Sequence, residues 1–125
     1  MDTIARWREI AETHDVAALA ELLAEDVVFR SPVVHTPQRG HAITLKYLTA
    51  ASHVLNNVSF AYVGEWRAER SAVLEFTTTI EGVEINGVDI IAWGPDGRIV
   101  DFKVMVRPLK AINLLHRLMG ERLAA

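Results

Sequence analysis

The chain contains no cysteine. Disulfides, thiolate nucleophiles, iron–sulfur clusters and cysteine-based zinc sites are therefore excluded. It also lacks any run of the ~18 or more apolar residues that a transmembrane helix needs. Asp2, Arg6, Arg8 and Glu9 interrupt the first ten residues, so no apolar signal-peptide core stands there. A cytoplasmic protein with no membrane partner is the expectation. An excess of positive charge is missing too. Thirteen Lys and Arg face 16 Asp and Glu, a formal net charge of −3, which offers no broad footprint for nucleic acid. The five histidines, at positions 14, 35, 41, 53 and 116, show neither an HExxH motif nor i,i+4 pairing, and no carboxylates cluster beside them. No metal site and no cofactor are expected.

What is present is ordinary globular composition: 125 residues, half of them hydrophobic and 23% charged. That length suits one domain over residues 1–125, with a core of about 3–107 and a C-terminal helix over 108–124. No repeat, low-complexity tract or Pro/Gly/Ser-rich linker divides it.

The first segment, Thr3 to about His14, sets Ile4, Trp7 and Ala11 on one helical stripe with Arg6, Glu9 and Glu12 outside it. Asp15 is placed to cap a second short helix carrying Val16, Leu19, Leu22 and Leu23. At Val27–Ser31 the period changes to two, predicting a strand with Val27, Phe29 and Ser31 on one face. Pro32 and Pro37 bracket a loop, and a third helix is predicted over about His41–Leu55, with Ile43, Tyr47, Ala51 and Leu55 in register. Four strands follow, at Val58–Trp66, Ala72–Ile80, Val88–Trp93 and Ile99–Val106, rich in β-branched and aromatic residues. Glu81-Gly82 and Asn86-Gly87 compete as the turn before the third of these. The first is favoured, with Gly87 at a bulge. Gly94-Pro95-Asp96-Gly97 predicts the last hairpin turn, so these strands are antiparallel. From Pro108 a final helix carries Leu109, Ile112, Leu115 and Met119 as its main stripe. Its surplus of Lys and Arg reads as a solvated basic face, set against a membrane-surface or acidic-partner role. Helices segregated from a run of antiparallel strands define an α+β fold, a curved sheet whose concave face makes a small-molecule pocket.

Asp89 is the most informative position for chemistry. In Val88–Trp93 both faces of the strand are apolar, so its carboxyl group lies away from bulk water whichever way it points. Desolvation disfavours the charged form and raises a carboxyl pKa by up to ~3–5 units. A neutral aspartic acid can then donate a hydrogen bond or act as a general acid. The competing reading is an ionised, structural Asp89 bonded to backbone N–H groups around a Gly87 bulge. Ser31, at a strand end, could orient a ligand or simply bond to backbone. His35 and His41 flank the loop after it, and His35 is preferred as a proton shuttle opposite Asp89, against the plainer reading of exposed loop histidines. Trp7 and Trp93 either line a cavity or belong to the core. With Ser31 and the inner-face residues Phe76, Ile91 and Val104 they make up the expected ligand-binding set. Glu75 falls on the outer face, where Thr, Glu and Lys side chains could pair with a second subunit.

The element order resembles that of the nuclear transport factor 2-like superfamily, including SnoaL-like polyketide cyclases and ketosteroid isomerase. The residues carrying the resemblance are Ala24-Glu25-Asp26-Val27, Ser31-Pro32-Val33, the helix start at Gly40, and Gly87-Val88-Asp89 ahead of Gly97-Arg98-Ile99-Val100. The resemblance implies a cystatin-like cone of curved antiparallel sheet around N-terminal helices, with a C-terminal helix added, and a homodimer formed through the outer sheet face. It also places at Asp89 the oxyanion-donating Asp of ketosteroid isomerase, a carboxylic acid that its apolar site keeps neutral at pH 7. The isomerase's base falls on Ser31 and its oxyanion tyrosine on Trp7. Serine takes no proton from a carbon acid at neutral pH and an indole donates only from nitrogen, so that enzyme's own mechanism does not carry over.

Three functions remain open. One is a cofactor-independent isomerase, cyclase, dehydratase or hydrolase acting on a small apolar molecule with a carbonyl or similar oxygen. The second is a non-catalytic carrier of such a molecule, and the third a dimeric interaction module.

Overall fold

The computed structural model describes residues 2–124. Met1 and Ala125, the end residues of the expected domain span, lie outside the described residues. Two capped helices open the chain. Asp2 accepts a 2.7 Å hydrogen bond from the Ala5 amide and caps α1, Thr3–Thr13. His14, in the left-handed conformation at φ 57°, ends it. Asp15 accepts from the Ala18 amide at 3.1 Å and starts α2, Val16–Leu22, as its position predicts. Each such cap satisfies an orphan helix N–H and is worth about 0.5–2 kcal/mol.

The strand predicted over Val27–Ser31 runs instead over Leu23–Arg30 (β1), and a two-residue strand not predicted, Gln38–Arg39 (β2), pairs with it. Leu23 joins because it pairs with Ile99 of the last strand, a partner remote in sequence. The helix α3 spans His41–Leu55. β3 begins only at Ala61, because Asn57 turns the chain first: its side chain accepts from the Ser59 amide and its carbonyl from the Phe60 amide. β4 is Ser71–Ile80 and β5 is Val83–Trp93. Between them Glu81 and Gly82 both take positive φ, 50° and 77°, as a tight two-residue hairpin requires. That turn brings Val83–Gly87 into the strand, so β5 starts five residues earlier than predicted. Gly87 is no bulge; it pairs regularly with Phe76 on one side and Val106 on the other. β6, Ile99–Arg107, and α4, Leu109–Ala124, complete the chain.

The result is α+β: four helices against a curved, unclosed six-stranded sheet in the order β2-β1-β6-β5-β4-β3. Every neighbouring pair is antiparallel except β1 and β6, which run parallel. Alternation sorts the strands cleanly. Ala72, Leu74 and Phe76 of β4, Ile85 and Ile91 of β5, and Phe102 and Val104 of β6 are buried. They meet Ile4, Trp7, Leu19, Leu22 and Leu48 of the helices in one core. Phe29, Phe76 and Phe102 are its largest sealed side chains, each worth about 1.5–3 kcal/mol of burial.

On α4 the buried residues are Ala111, Leu114 and Leu115, whereas Leu109, expected in the stripe, is 72% exposed. The helix is therefore rotated from its predicted setting. It buries a narrower stripe and leaves Met119 facing a hollow. No helix among the described residues is long and apolar enough to cross a membrane.

Candidate functional site

Asp89 points to the inner face of β5, between Leu74 of β4 and Val104 of β6, and is 6% exposed. A buried carboxyl group among leucine, valine and isoleucine needs a partner. The partner comes from β3. The Tyr62 hydroxyl donates to Asp89 Oδ2 at 2.5 Å, and the Trp7 indole N–H donates to the Tyr62 oxygen at 2.8 Å. Helix α1 and strand β3 are thus tied to Asp89 through a relay, Trp7 to Tyr62 to Asp89. At the surface, ion pairs of Arg8 with Glu65 and of Arg67 with Asp2 join the same two elements. The Arg8 guanidinium also lies 5.2 Å from the centre of the Tyr62 ring.

Gly87 makes this reach possible. Tyr62, Phe76 and Gly87 stand in one cross-strand row, two residues along from Asp89. A β-carbon on residue 87 would lie 2.5 Å from Phe76 Cζ and 2.7 Å from the Met105 carbonyl oxygen. With hydrogen there instead, the Phe76 ring packs close over Gly87, and Tyr62 packs edge-on against it while its hydroxyl extends to the carboxyl.

Burial dominates the electrostatics. Desolvation pushes the Asp89 pKa up to about 7, opposed by the Tyr62 hydrogen bond, which favours the charged form. Burial raises the Tyr62 phenol well above its ordinary value, and the adjacent Asp89 adds to that rise. At neutral pH Asp89 is therefore divided between acid and carboxylate while Tyr62 stays protonated. Among the described residues Asp89 bonds to a side chain and not to the backbone N–H groups that the structural reading from the sequence required.

The other expected residues scatter. Trp7 has its indole N–H engaged by Tyr62, and its ring packs edge-on against Phe102 at 4.8 Å. Phe76 and Ile91 are sealed in the core at 1% and 0% exposure, and Trp93 is half-buried at the end of β5. His41 Nε2 donates to the Ala20 carbonyl at 2.7 Å, fastening α3 to α2. His35 is exposed on the loop after β1, and the structure does not bring it to Asp89. Ser31 and Val104 do line a common hollow of about 180 Å³, with Phe29, Tyr47, Ala51 and Met119. Ser31 Oγ accepts from the amides of Val33 and Val34, holding the loop that forms one side of this cavity. Asp89 itself does not line it, but Val104, its direct cross-strand partner, does.

Sequence reasoning passed over three residues here. Tyr62 lay on an inward position of an alternating strand, and a buried tyrosine hydroxyl usually finds a partner. Tyr47 was assigned to a packing stripe that in fact faces the cavity. His116 lines the cavity from α4; its only signal was its i,i+3 and i,i+4 spacing to Met119 and Gly120. Among the described residues no group of three or more His, Asp or Glu is placed to hold a metal ion.

Fold and site define a sheet-and-helix cone with a buried carboxyl group beside an apolar hollow. The chain belongs to the SnoaL-like domain family, whose model matches residues 4–102. It is similar to the crystal structure of a steroid delta-isomerase from Pseudomonas aeruginosa, with 40% identity over 98% of this chain and 89% of that one, and a TM-score of 0.92. An uncharacterised protein with a cystatin-like fold from Silicibacter pomeroyi is 31% identical over 96% of this chain and 84% of its own, with a TM-score of 0.89. A nuclear transport factor 2-like protein of unknown function from Mesorhizobium loti shares the fold at 23% identity, covering 85% of this chain and 88% of that one, with a TM-score of 0.73. No curated protein matches the chain.

Proposed function

We propose that the protein binds a small, largely apolar molecule bearing a carbonyl or similar oxygen and acts on it by cofactor-independent acid/base chemistry of the isomerase type. The observation that carries this reading is the buried Asp89, held near neutrality by its apolar surroundings and hydrogen-bonded by Tyr62. A group with a pKa near the working pH both gives and takes a proton, and a positioned acid or base contributes ~10²–10⁴-fold. Asp89 Oδ1 has no hydrogen bond among the described residues, which leaves it available to a ligand oxygen once Val104 or the cavity wall gives way. His116 is the imidazole that lines the cavity, and it replaces His35 as the group suited to a second proton transfer. The 40% identity to a steroid delta-isomerase supports the same class of chemistry.

The test is deuterium incorporation. Single-ring ketones are incubated with the protein in deuterated water, and exchange at the carbon next to the carbonyl is followed by NMR. Exchange above the buffer rate that falls at least ~100-fold in Asp89→Asn supports the proposal. Exchange at the buffer rate in both proteins overturns it.

The carrier reading is favoured by one observation, that Asp89 stands behind the cavity wall and not in it. Tight binding of the same ketones with no exchange is its signature.

A further inference from the structure

The apolar cavity borders a second hollow. β1 stops at Arg30, which pairs with Lys103, and the chain leaves the sheet at Ser31-Pro32 while β6 continues to Arg107. Past that point the edge of β6 is uncovered. A groove of about 410 Å³ runs along it, lined by Lys103 and Met105 from the outer face and by Val104 and Val106 from the inner one. Residues of both parities border one groove where it follows a free strand edge. Ser31, Pro32 and Val104 line the cavity as well as the groove, so the two adjoin at the end of β1.

Their chemistry differs sharply. The cavity walls are Phe29, Ala51, Val104, Leu115 and Met119. The groove carries Arg30, Lys103 and His35. Asp101 accepts from Arg30 Nε at 3.1 Å, while the two terminal guanidinium nitrogens and the Lys103 ammonium have no acidic partner among the described residues. Arg30 and Lys103 against Asp101 leave one positive charge in the groove beside the cavity.

We propose that cavity and groove are one site for an amphipathic monoanion, a single-ring carboxylate whose ring fills the cavity and whose carboxylate meets Arg30 and Lys103. This rests on the reading that the cavity holds a small molecule, and it narrows the class of that molecule. The size follows from volume: an apolar cavity of roughly 150 Å³ holds benzene, and this one measures about 180 Å³. The charge follows from the groove, where a guanidinium with both terminal nitrogens available matches the two oxygens of a carboxylate. His35 borders the carboxylate end and belongs to binding.

The experiment is calorimetric titration of the full chain with 4-isopropylbenzoate and with its uncharged counterpart, 4-isopropylbenzyl alcohol. Three proteins are compared: the wild type, Lys103→Gln and Gly120→Phe. Gly120 lines the cavity from α4, and a β-carbon there meets nothing within 4 Å, so phenylalanine can enter the hollow without disturbing the helix. Circular dichroism establishes that each variant is folded. The wild type is expected to prefer the benzoate, with a preference that shrinks as salt is added. Lys103→Gln should weaken benzoate about twofold to fivefold, the range for one exposed charge contact, and leave the alcohol unchanged. Gly120→Phe should weaken both. Equal binding of benzoate and alcohol, or equal losses in Lys103→Gln, overturns the anion assignment while the cavity reading stands. Binding of neither ligand, or no effect of Gly120→Phe on either, overturns both.

Discussion

Tyr62 and Asp89, from strands that do not touch in the sheet, meet at 2.5 Å across the intervening β4. The contact joins a phenol that burial keeps protonated to a carboxyl group that burial brings close to neutral pH. Three consequences can be measured.

Asp89 makes stability depend on pH in the direction opposite to a salt-bridged carboxylate. Its pKa is raised from 3.8 to about 7 on folding, so the folded state holds its proton where the unfolded chain has already lost it. The contribution is fully present below pH 3.8 and is lost as pH rises through 7, a swing on the order of 4 kcal/mol. Asp89→Asn carries no such charge. The melting temperature of wild type relative to Asp89→Asn should therefore fall as pH rises from about 4 to about 7 and level off above that. A constant difference across that range would contradict the assignment.

Tyr62→Phe removes the hydrogen bond that favours the charged carboxyl. The Asp89 titration midpoint, followed by carbon-13 NMR of the side chain, should move up from its wild-type value. The variant should also lose about 1–3 kcal/mol, because the Trp7 indole N–H and Asp89 Oδ2 both lose a buried partner. A midpoint that stays put or falls would show that the hydroxyl does not hold the carboxylate.

Gly87→Ala tests the arrangement behind the pair. Its new β-carbon would collide with the Phe76 ring and with the backbone oxygen of Met105, and backbone cannot yield cheaply. Overpacking of this kind costs typically ~1–3 kcal/mol. The denaturation midpoint should fall accordingly. The Asp89 midpoint should shift as well, since a displaced Phe76 carries Tyr62 with it. A neutral substitution would mean that the row of Tyr62, Phe76 and Gly87 is looser than its packing indicates.

Much of this was legible before any coordinates. Caps at Asp15, hairpin turns at Glu81-Gly82 and Gly94–Gly97, and the burial of Asp89 all follow from local chemistry or strict alternation. Those signals operate over a few residues. The relay was not legible, because it joins positions 7, 62 and 89, and nothing local says which inward tyrosine reaches which carboxyl group. Gly87 misled for a related reason: a glycine within a strand reads as a bulge or as a close approach, and only the facing ring of Phe76 decides between them. Ser31 and Val104 line a hollow, whereas Phe76 and Ile91 share the inward direction without reaching it. Direction follows from the period of two; the position of empty space depends on how α4 and the Ser31 loop close over the sheet.

The parallel union of β1 with β6 has a bearing on how the protein comes into being. A strand laid down among the first thirty residues finds its main neighbour only when residues 99–107 have been made. Until then the amino-terminal third emerges from the ribosome with its sheet edge unclaimed, and pairing across so long a stretch is intrinsically slow. The same late closure sets Arg30 beside Lys103, so the groove that adjoins the hollow is assembled only when the sheet is complete.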